Sequence, residues 1–408
     1  MSTFAFGTYR ISDQNPLHIE ALKEAVAGGI ELIDTSTNYT DGGAERAIGK
    51  VLQYTDDEIR SKIKIVSKYG YIQGSNLAAF KENPFDGVVE FSESCYHSIS
   101  KDFLHKQLSE SLERLQMDKI DCYLIHNPEY FLYDAIKQKI PKDEMLDAMY
   151  ERLYDAFIGL EEEVANGRID SYGISSNAFS KKSNDDAFLP YEDLLTLAQK
   201  AAQEVGNNRH SFSTIELPIN LLEQEGLKCA KWAKENDLRV LSNRPLNAEY
   251  NNLMFRLADY EDAKEYDYYL NELLEVCNDP LLKPLYNLIE QMDMHRHKFG
   301  WIGEYDTFLT TQIMPHIKKA LEKIDNNALE DLLRYIEIFL NEYRKTVAYE
   351  CSLRLRTELK EFLQDCKEKV QKCALEFLVK KDEIDYILVG MRRPTYVQEI
   401  LTLKDELN

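Results

Sequence analysis

Four residues of different chemistry stand where short apolar runs give out: Asp34 in ELIDTS, Lys68 in KIKIVSKYG, His126 in KIDCYLIHN, and Tyr39, five residues beyond Asp34. A carboxylate left unpaired at the end of a buried strand is costly, so Asp34 needs either a compensating charge or a chemical task. Lys68 can supply the charge. A charged lysine beside a phenol lowers the phenol's pKa, and a carboxylate keeps such a buried lysine protonated. A histidine on the same rim can orient a carbonyl or join the proton relay. Together the four make a proton-transfer set. Singly, each has a plainer reading. Asp34 with Lys68 makes a structural ion pair, His126 a satisfied core histidine, and Tyr39 is one of 25 tyrosines.

These residues need elements that aim them at one place. Eight β-branched runs alternate with amphipathic helical segments: 4–9, 31–36, 62–70, 119–127, 170–177, 213–220, 239–246 and 385–391. Between them lie helices such as IEALKEAVAGG, HKQLSESLERLQ, MYERLYDAFIGLEEEVANG and GLKCAKWAKEND. Strict alternation implies right-handed βαβ units and a parallel sheet. Eight units predict an α/β fold, a closed (β/α)8 TIM barrel whose catalytic face collects the carboxyl ends of the strands. Besides the four residues above, those ends carry Thr8 and Tyr9, Ser175 and Ser176, Glu216, and Asn243.

The rhythm stops after Leu246 and resumes near Lys369. The segment between is helical, as in YDYYLNELLEVC and LEDLLRYIEIFLNEYRKTVAYECSLRLRTELKEFLQDC, and is too long for a structureless loop. It reads as a helical insertion subdomain, 250–369, in the seventh βα connection, with the barrel formed by 1–249 and 370–408. Because βα connections emerge on the catalytic face, 250–364 is expected to wall or lid a substrate pocket. Acids number 71 against 49 Lys and Arg, a net charge of −22, which disfavours nucleic acid and anionic membranes as partners. The start, MSTFAFGTYRISDQ, lacks a basic n-region and apolar core, so no secretory signal is expected. The seven cysteines include no Cys-x-x-Cys pair, which predicts reduced thiols and a cytoplasmic location. His295 and His297 have no evident third ligand and read as surface histidines, so no metal is expected. Arg392 and Arg393, beside a Gly-Pro loop in so acidic a chain, read as a phosphate site.

The stretch IDTSTNYTDGGAERAIGKVL resembles the N-terminal signature of the aldo-keto reductases, an acid, then a tyrosine, then a Gly-x-x-E-x-x-I/L-G-x-x-L helix. IVSKYG is similar to that family's lysine strand, YLIHNPE to its histidine strand, and GRIDSYGISSNAF to the strand with a Ser-Asn pair. LPINLLE, RPLNA and LVGMRRPTYVQEI are similar to the last three strand ends. The resemblance covers roughly 1–250 and 370–408, and the order of the motifs carries it. It implies an NAD(P)-dependent oxidoreductase of carbonyls and alcohols, with Tyr39 as general acid, Asp34 and Lys68 tuning it, and His126 orienting the carbonyl. It implies NADP or NAD as cofactor. The carboxamide would be gripped near Ser175, Ser176, Asn177 and Glu216, and Thr8, Tyr9, Asp34, Asn243, Arg244, Pro245 and Leu246 would also contribute to cofactor binding. The adenosine end would be held by Gly390, Met391, Arg392, Arg393, Tyr396 and Glu399. Asn243 stands where the family usually has a stacking aromatic, Glu216 where glutamine is common, and Ile400 where asparagine is common.

Two classes of function follow. One is the reductase or dehydrogenase acting on a small carbonyl or alcohol. The other is a nucleotide-binding regulatory subunit whose helical insert binds a partner protein. The complete set Asp34, Tyr39, Lys68 and His126 favours the first, since a regulatory barrel is free to lose any of them.

Overall fold

The computed structural model describes residues 3–322 and 326–407. Eight parallel strands close into a barrel: β1 (Thr3–Gly7), β2 (Leu32–Asp34), β3 (Lys64–Tyr69), β4 (Cys122–His126), β5 (Tyr172–Ser175), β6 (Phe212–Pro218), β7 (Arg239–Asn243) and β8 (Tyr386–Val389). Each pairs with its sequence neighbours, and β1 closes the ring against β8. Each strand matches one of the eight runs expected from sequence.

The strands alternate their faces, and the inward face is built in layers. Ala5, Leu32, Val66, Leu124, Leu241 and Leu388 form one buried cluster. Two residues further along each of these strands, the same face carries Gly7, Asp34, Lys68, His126, Asn243 and Gly390. An apolar plug thus underlies a polar rim. At β5 the plug has no room for a side chain, because a Cβ on Gly173 would lie 1.9 Å from the Thr214 carbonyl oxygen. Residues two further on, Ser175 and Glu216, complete the rim.

Helices cover the outside. Pro16–Ala27 starts with Asn15 accepting from the Leu17 N–H and with proline at the first turn, a favourable N-terminus. Gly43–Leu52 packs on Lys101–Leu115 with no room for a larger residue at Gly49, whose Cβ would meet the Arg114 carbonyl at 2.7 Å. A three-stranded sheet (Tyr71–Ile72, Val89–Ser92, Cys95–His97) follows β3. It was not expected from sequence.

The chain divides into two compact units, Met1–Pro245 with Glu376–Asn408, and Leu246–Leu375. The second unit lies between β7 and β8 in sequence. It opens with a hairpin (Asn247–Tyr250 and Leu253–Arg256) and is otherwise mainly helical, with Asn326–Glu358 its longest element. Leu332, Ile336, Phe339, Tyr343 and Val347 form a stripe at helical spacing and enter a separate core with Leu273, Leu285 and Tyr305. One cysteine expectation is corrected here. Cys366 and Cys373, seven residues apart, are joined, because the turn after the long helix brings their Cα atoms to 5.8 Å. Cys95, Cys122, Cys229, Cys277 and Cys351 are free thiols. Among the described residues no helix is long and apolar enough to cross a membrane.

Candidate active site

Lys68 is the centre of the rim. It is fully buried, pairs with Asp34, donates to the Thr35 carbonyl at 3.0 Å, and lies 3.3 Å from Glu216 Oε2. Burial works against its charge, but the carboxylates of Asp34 and Glu216 outweigh burial and hold the ammonium above its ordinary pKa. Asp34 is shifted upward as well, by burial first and by the Glu216 charge second, with Lys68 opposing both.

Tyr39 is delivered by a tight turn. Its N–H donates to the Ser36 carbonyl at 3.2 Å, and the next three residues, Thr40, Asp41 and Gly42, all take left-handed φ (49°, 53° and 74°). That turn brings the ring over Lys68, whose Nζ is 5.2 Å from the ring centre. The sequence expectation that Lys68 lowers the phenol's pKa is half right. Burial raises the phenol well above its usual value, and Asp34 and Glu216 add to the rise; Lys68 pulls it down by charge and by hydrogen bonding, but not far enough. Tyr39 therefore keeps its proton at neutral pH.

His126 completes the group, its ring centre 5.9 Å from that of Tyr39. Its Nδ1 is 3.0 Å from Ser36 Oγ. Burial and the nearby Lys68 charge push its pKa well below the ordinary imidazole value, so the ring is neutral. Tyr71 packs edge-on against it at 4.8 Å. His97, itself held down to about 4 chiefly by burial, bonds through Nε2 to the His126 carbonyl at 2.7 Å.

Thus Asp34, Tyr39, Lys68 and His126, from β2, the loop after it, β3 and β4, share one buried cluster. The Aldo/keto reductase family model matches residues 3–249, more than half of the chain. The chain belongs to the aldo/keto reductase family. It is 25% identical to aldo-keto reductase YhdN of Bacillus subtilis (strain 168) over 224 residues, 55% of this chain and 50% of that protein. It is also 25% identical to methylglyoxal reductase YeaE of Escherichia coli (strain K12) over 238 residues, 58% of this chain and 60% of that one. The chain therefore spans about half to three-fifths of these relatives' lengths. Among solved structures it resembles aldo-keto reductase AKR11C1 from Bacillus halodurans in its holo form, at 15% identity and a TM-score of 0.48. That match covers 98% of this chain and 85% of that one.

The remaining residues expected from the aldo/keto reductase resemblance fall into two sets. Near the four, Thr8 Oγ1 donates to the Asp34 carbonyl at 2.8 Å, and Tyr9, 65% exposed, packs edge-on against Tyr39 at 5.2 Å. Ser175 is the inward residue ending β5. Ser176 turns instead to donate to Glu129 at 2.7 Å while its oxygen caps the Ala178 N–H. Asn177 donates from its backbone to the same Glu129 at 2.9 Å and from its side chain to Asn127. Asn243 donates to Glu216 Oε1 at 3.0 Å. Arg244 adopts a left-handed φ of 51° and pairs with Glu223 at 2.6 Å. Pro245 ends the first unit, and Leu246 begins the second. The other set follows β8. Gly390 borders open space, since a Cβ there would have only the Gly7 carbonyl oxygen nearby, at 4.0 Å. Met391 is buried, Arg392 half-buried, and Arg393, Tyr396 and Glu399 exposed at the start of the helix Pro394–Leu407.

Sequence reasoning missed Ser36, Tyr71, His97, Asn127 and Glu129. Three of these had a signal in their position, Ser36 between Asp34 and Tyr39 and the pair Asn127 and Glu129 directly after His126. Among the described residues no group of three or more His, Cys, Asp or Glu is arranged to hold a metal.

Proposed function

We propose that this chain is an NAD(P)H-dependent oxidoreductase that interconverts a small carbonyl compound and its alcohol, with Tyr39 as general acid. The observation that supports it is the convergence of Asp34, Tyr39, Lys68 and His126 into one buried cluster at the carboxyl ends of β2, β3 and β4. A bound nicotinamide dinucleotide would supply the hydride. The residues present fit such a group. Asn243 Oδ1 is buried without a hydrogen-bond partner, an acceptor suited to a carboxamide N–H. Gly390 leaves open space where the barrel meets a helix start, and Arg392 and Arg393 stand at that start. A helix N-terminus with two guanidinium groups suits phosphate, and a 2′-phosphate in particular favours NADP.

In this reading the neutral His126, held through Nδ1 at 3.0 Å from Ser36 Oγ, orients the substrate carbonyl. Tyr39 adds its proton as negative charge develops on that oxygen. Burial keeps the phenol protonated until then, which suits reduction. Asp34 and Glu216 keep Lys68 charged, and Lys68 stabilises the phenolate left behind. Glu129 holds the Ser176–Asn177 corner in place.

The test is nicotinamide absorbance on the purified protein with a panel of aldehydes, ketones and aldoses, and with alcohols in the reverse direction. Turnover on at least one carbonyl, lost in Tyr39→Phe, is expected. Cofactor binding with no turnover on any substrate would favour the regulatory reading instead.

A further inference from the structure

The short three-stranded sheet after β3 supplies the far end of a hydrogen-bond chain that begins at His126. Ser36 Oγ is buried, 3.0 Å from His126 Nδ1, 2.8 Å from Asn38 Oδ1 and 3.4 Å from the Lys68 carbonyl oxygen. Asn38 Nδ2 donates to Gln73 Oε1 at 3.1 Å, and Gln73 Nε2 donates to Cys95 Sγ at 3.1 Å. Gln73 follows the strand Tyr71–Ile72, and Cys95 opens the strand Cys95–His97. A hydroxyl carries one proton. The Asn38 and Lys68 oxygens can only accept, so that proton is committed to their side, and to Asn38 as the nearer. His126 Nδ1 must then donate to Ser36, since two lone pairs facing each other at 3.0 Å would repel. The opposite direction would have to start from the Cys95 thiol, the weakest donor in the chain. The buried imidazole is neutral, so it has one proton to place.

We propose that Ser36, Asn38, Gln73 and Cys95 are positioning residues that hold the proton of His126 on Nδ1, so that Nε2 meets the substrate as a hydrogen-bond acceptor. A carbonyl oxygen has no proton to offer such a nitrogen, whereas a hydroxyl does. The group His126 grips is therefore a hydroxyl on the carbon next to the carbonyl. It orients the carbonyl through that neighbour, while Tyr39 donates to the carbonyl oxygen itself. The substrate class is an α-hydroxy aldehyde or ketone, and in the reverse direction a vicinal diol. This substrate class rests on the function proposed above; the tautomer does not. The same small sheet holds the rest of the histidine. His97 Nε2 donates to the His126 backbone carbonyl at 2.7 Å, and Tyr71 packs edge-on against the imidazole at 4.8 Å. Backbone, ring plane and proton are thus all fixed from one side.

Two measurements on the full-length protein test this. The first is nitrogen NMR of protein isotopically labelled at histidine alone, at neutral pH and without substrate. The His126 signals are identified by their loss in His126→Gln. A protonated Nδ1 and a bare Nε2 are expected in wild type. Ser36→Ala, which removes one oxygen and with it the acceptor, should release the proton to Nε2. A wild-type proton on Nε2, or a tautomer unmoved in Ser36→Ala, overturns the proposal. The second compares kcat/KM for hydroxyacetone and butanone, which differ only by a hydroxyl or a methyl beside the carbonyl. Wild type should prefer hydroxyacetone by about tenfold or more, and Ser36→Ala should lose most of that preference. A structural role for Ser36 would lower both substrates alike. A wild type that uses hydroxyacetone no better than butanone, or a ratio unchanged in Ser36→Ala, overturns the acceptor role of Nε2. The tautomer is read without turnover, which separates the two levels. A proton on Nδ1 with no turnover of any carbonyl overturns the function above and the substrate class with it, and upholds the chain. Turnover with the proton on Nε2 overturns the chain alone.

Discussion

Lys68→Met exposes the electrostatics of the rim most directly. Methionine keeps the length and most of the volume of the lysine stem, so little cavity forms and packing costs stay small. What disappears is the ammonium that faces Asp34 and Glu216. Removing one partner of a buried ion pair costs about 3–5 kcal/mol, because the charge left behind has neither water nor a counter-ion. For a unit of this size that is roughly 6–20 °C in Tm. The deficit must also depend on pH. Asp34 already titrates above its ordinary 3.8 in the folded state, and losing Lys68 raises it further. A carboxyl raised on folding contributes its stability in full below the unfolded pKa and loses it as pH rises through the folded value. The variant should therefore approach wild-type stability in acid, where Asp34 is protonated, and fall furthest behind at neutral pH and above. Urea unfolding followed by far-UV circular dichroism, across that range, measures it. A variant as stable as wild type at neutral pH, or a deficit that shrinks as pH rises, would refute the reasoning.

Tyr39→Phe keeps the ring against Tyr9 and His126 and removes only the proton donor, so kcat should fall about 10²–10⁴-fold while cofactor affinity, read by fluorescence titration, stays near wild type. Arg392→Ala with Arg393→Ala should weaken NADPH binding more than NADH binding, with the difference shrinking as salt is raised; calorimetry showing equal losses for both would remove the 2′-phosphate assignment. Gly173→Ala should cost about 3 kcal/mol or more in thermal or urea unfolding, because the added methyl would sit 1.9 Å from the Thr214 carbonyl and force β5 and β6 apart.

The barrel was legible because its strands alternate with helices and because six of the eight repeat one pattern, an apolar residue and then, two places later, a polar one or glycine. Val66 before Lys68, Leu124 before His126 and Leu32 before Asp34 place the plug and the rim on one face before any coordinate is known. The short sheet at 71–72, 89–92 and 95–97 was not legible, since its strands are two to four residues long and mostly outside the apolar runs that mark a core. Ser36 and Glu129 were hidden for a different reason. Their partners, His126 and the Ser176–Asn177 corner, are 90 and about 47 residues away, and only the closed ring brings them within a hydrogen bond. Glu216 shows where sequence reading stops. Its place on the rim follows from the strand pattern, and its difference from glutamine was visible. Its effect was not, because β6 and β3 are not neighbours in the sheet. An eight-stranded barrel is just narrow enough for side chains from across the ring to fill the interior and touch. That dimension, and no local signal, sets Glu216 Oε2 3.3 Å from Lys68 and gives the site its second carboxylate.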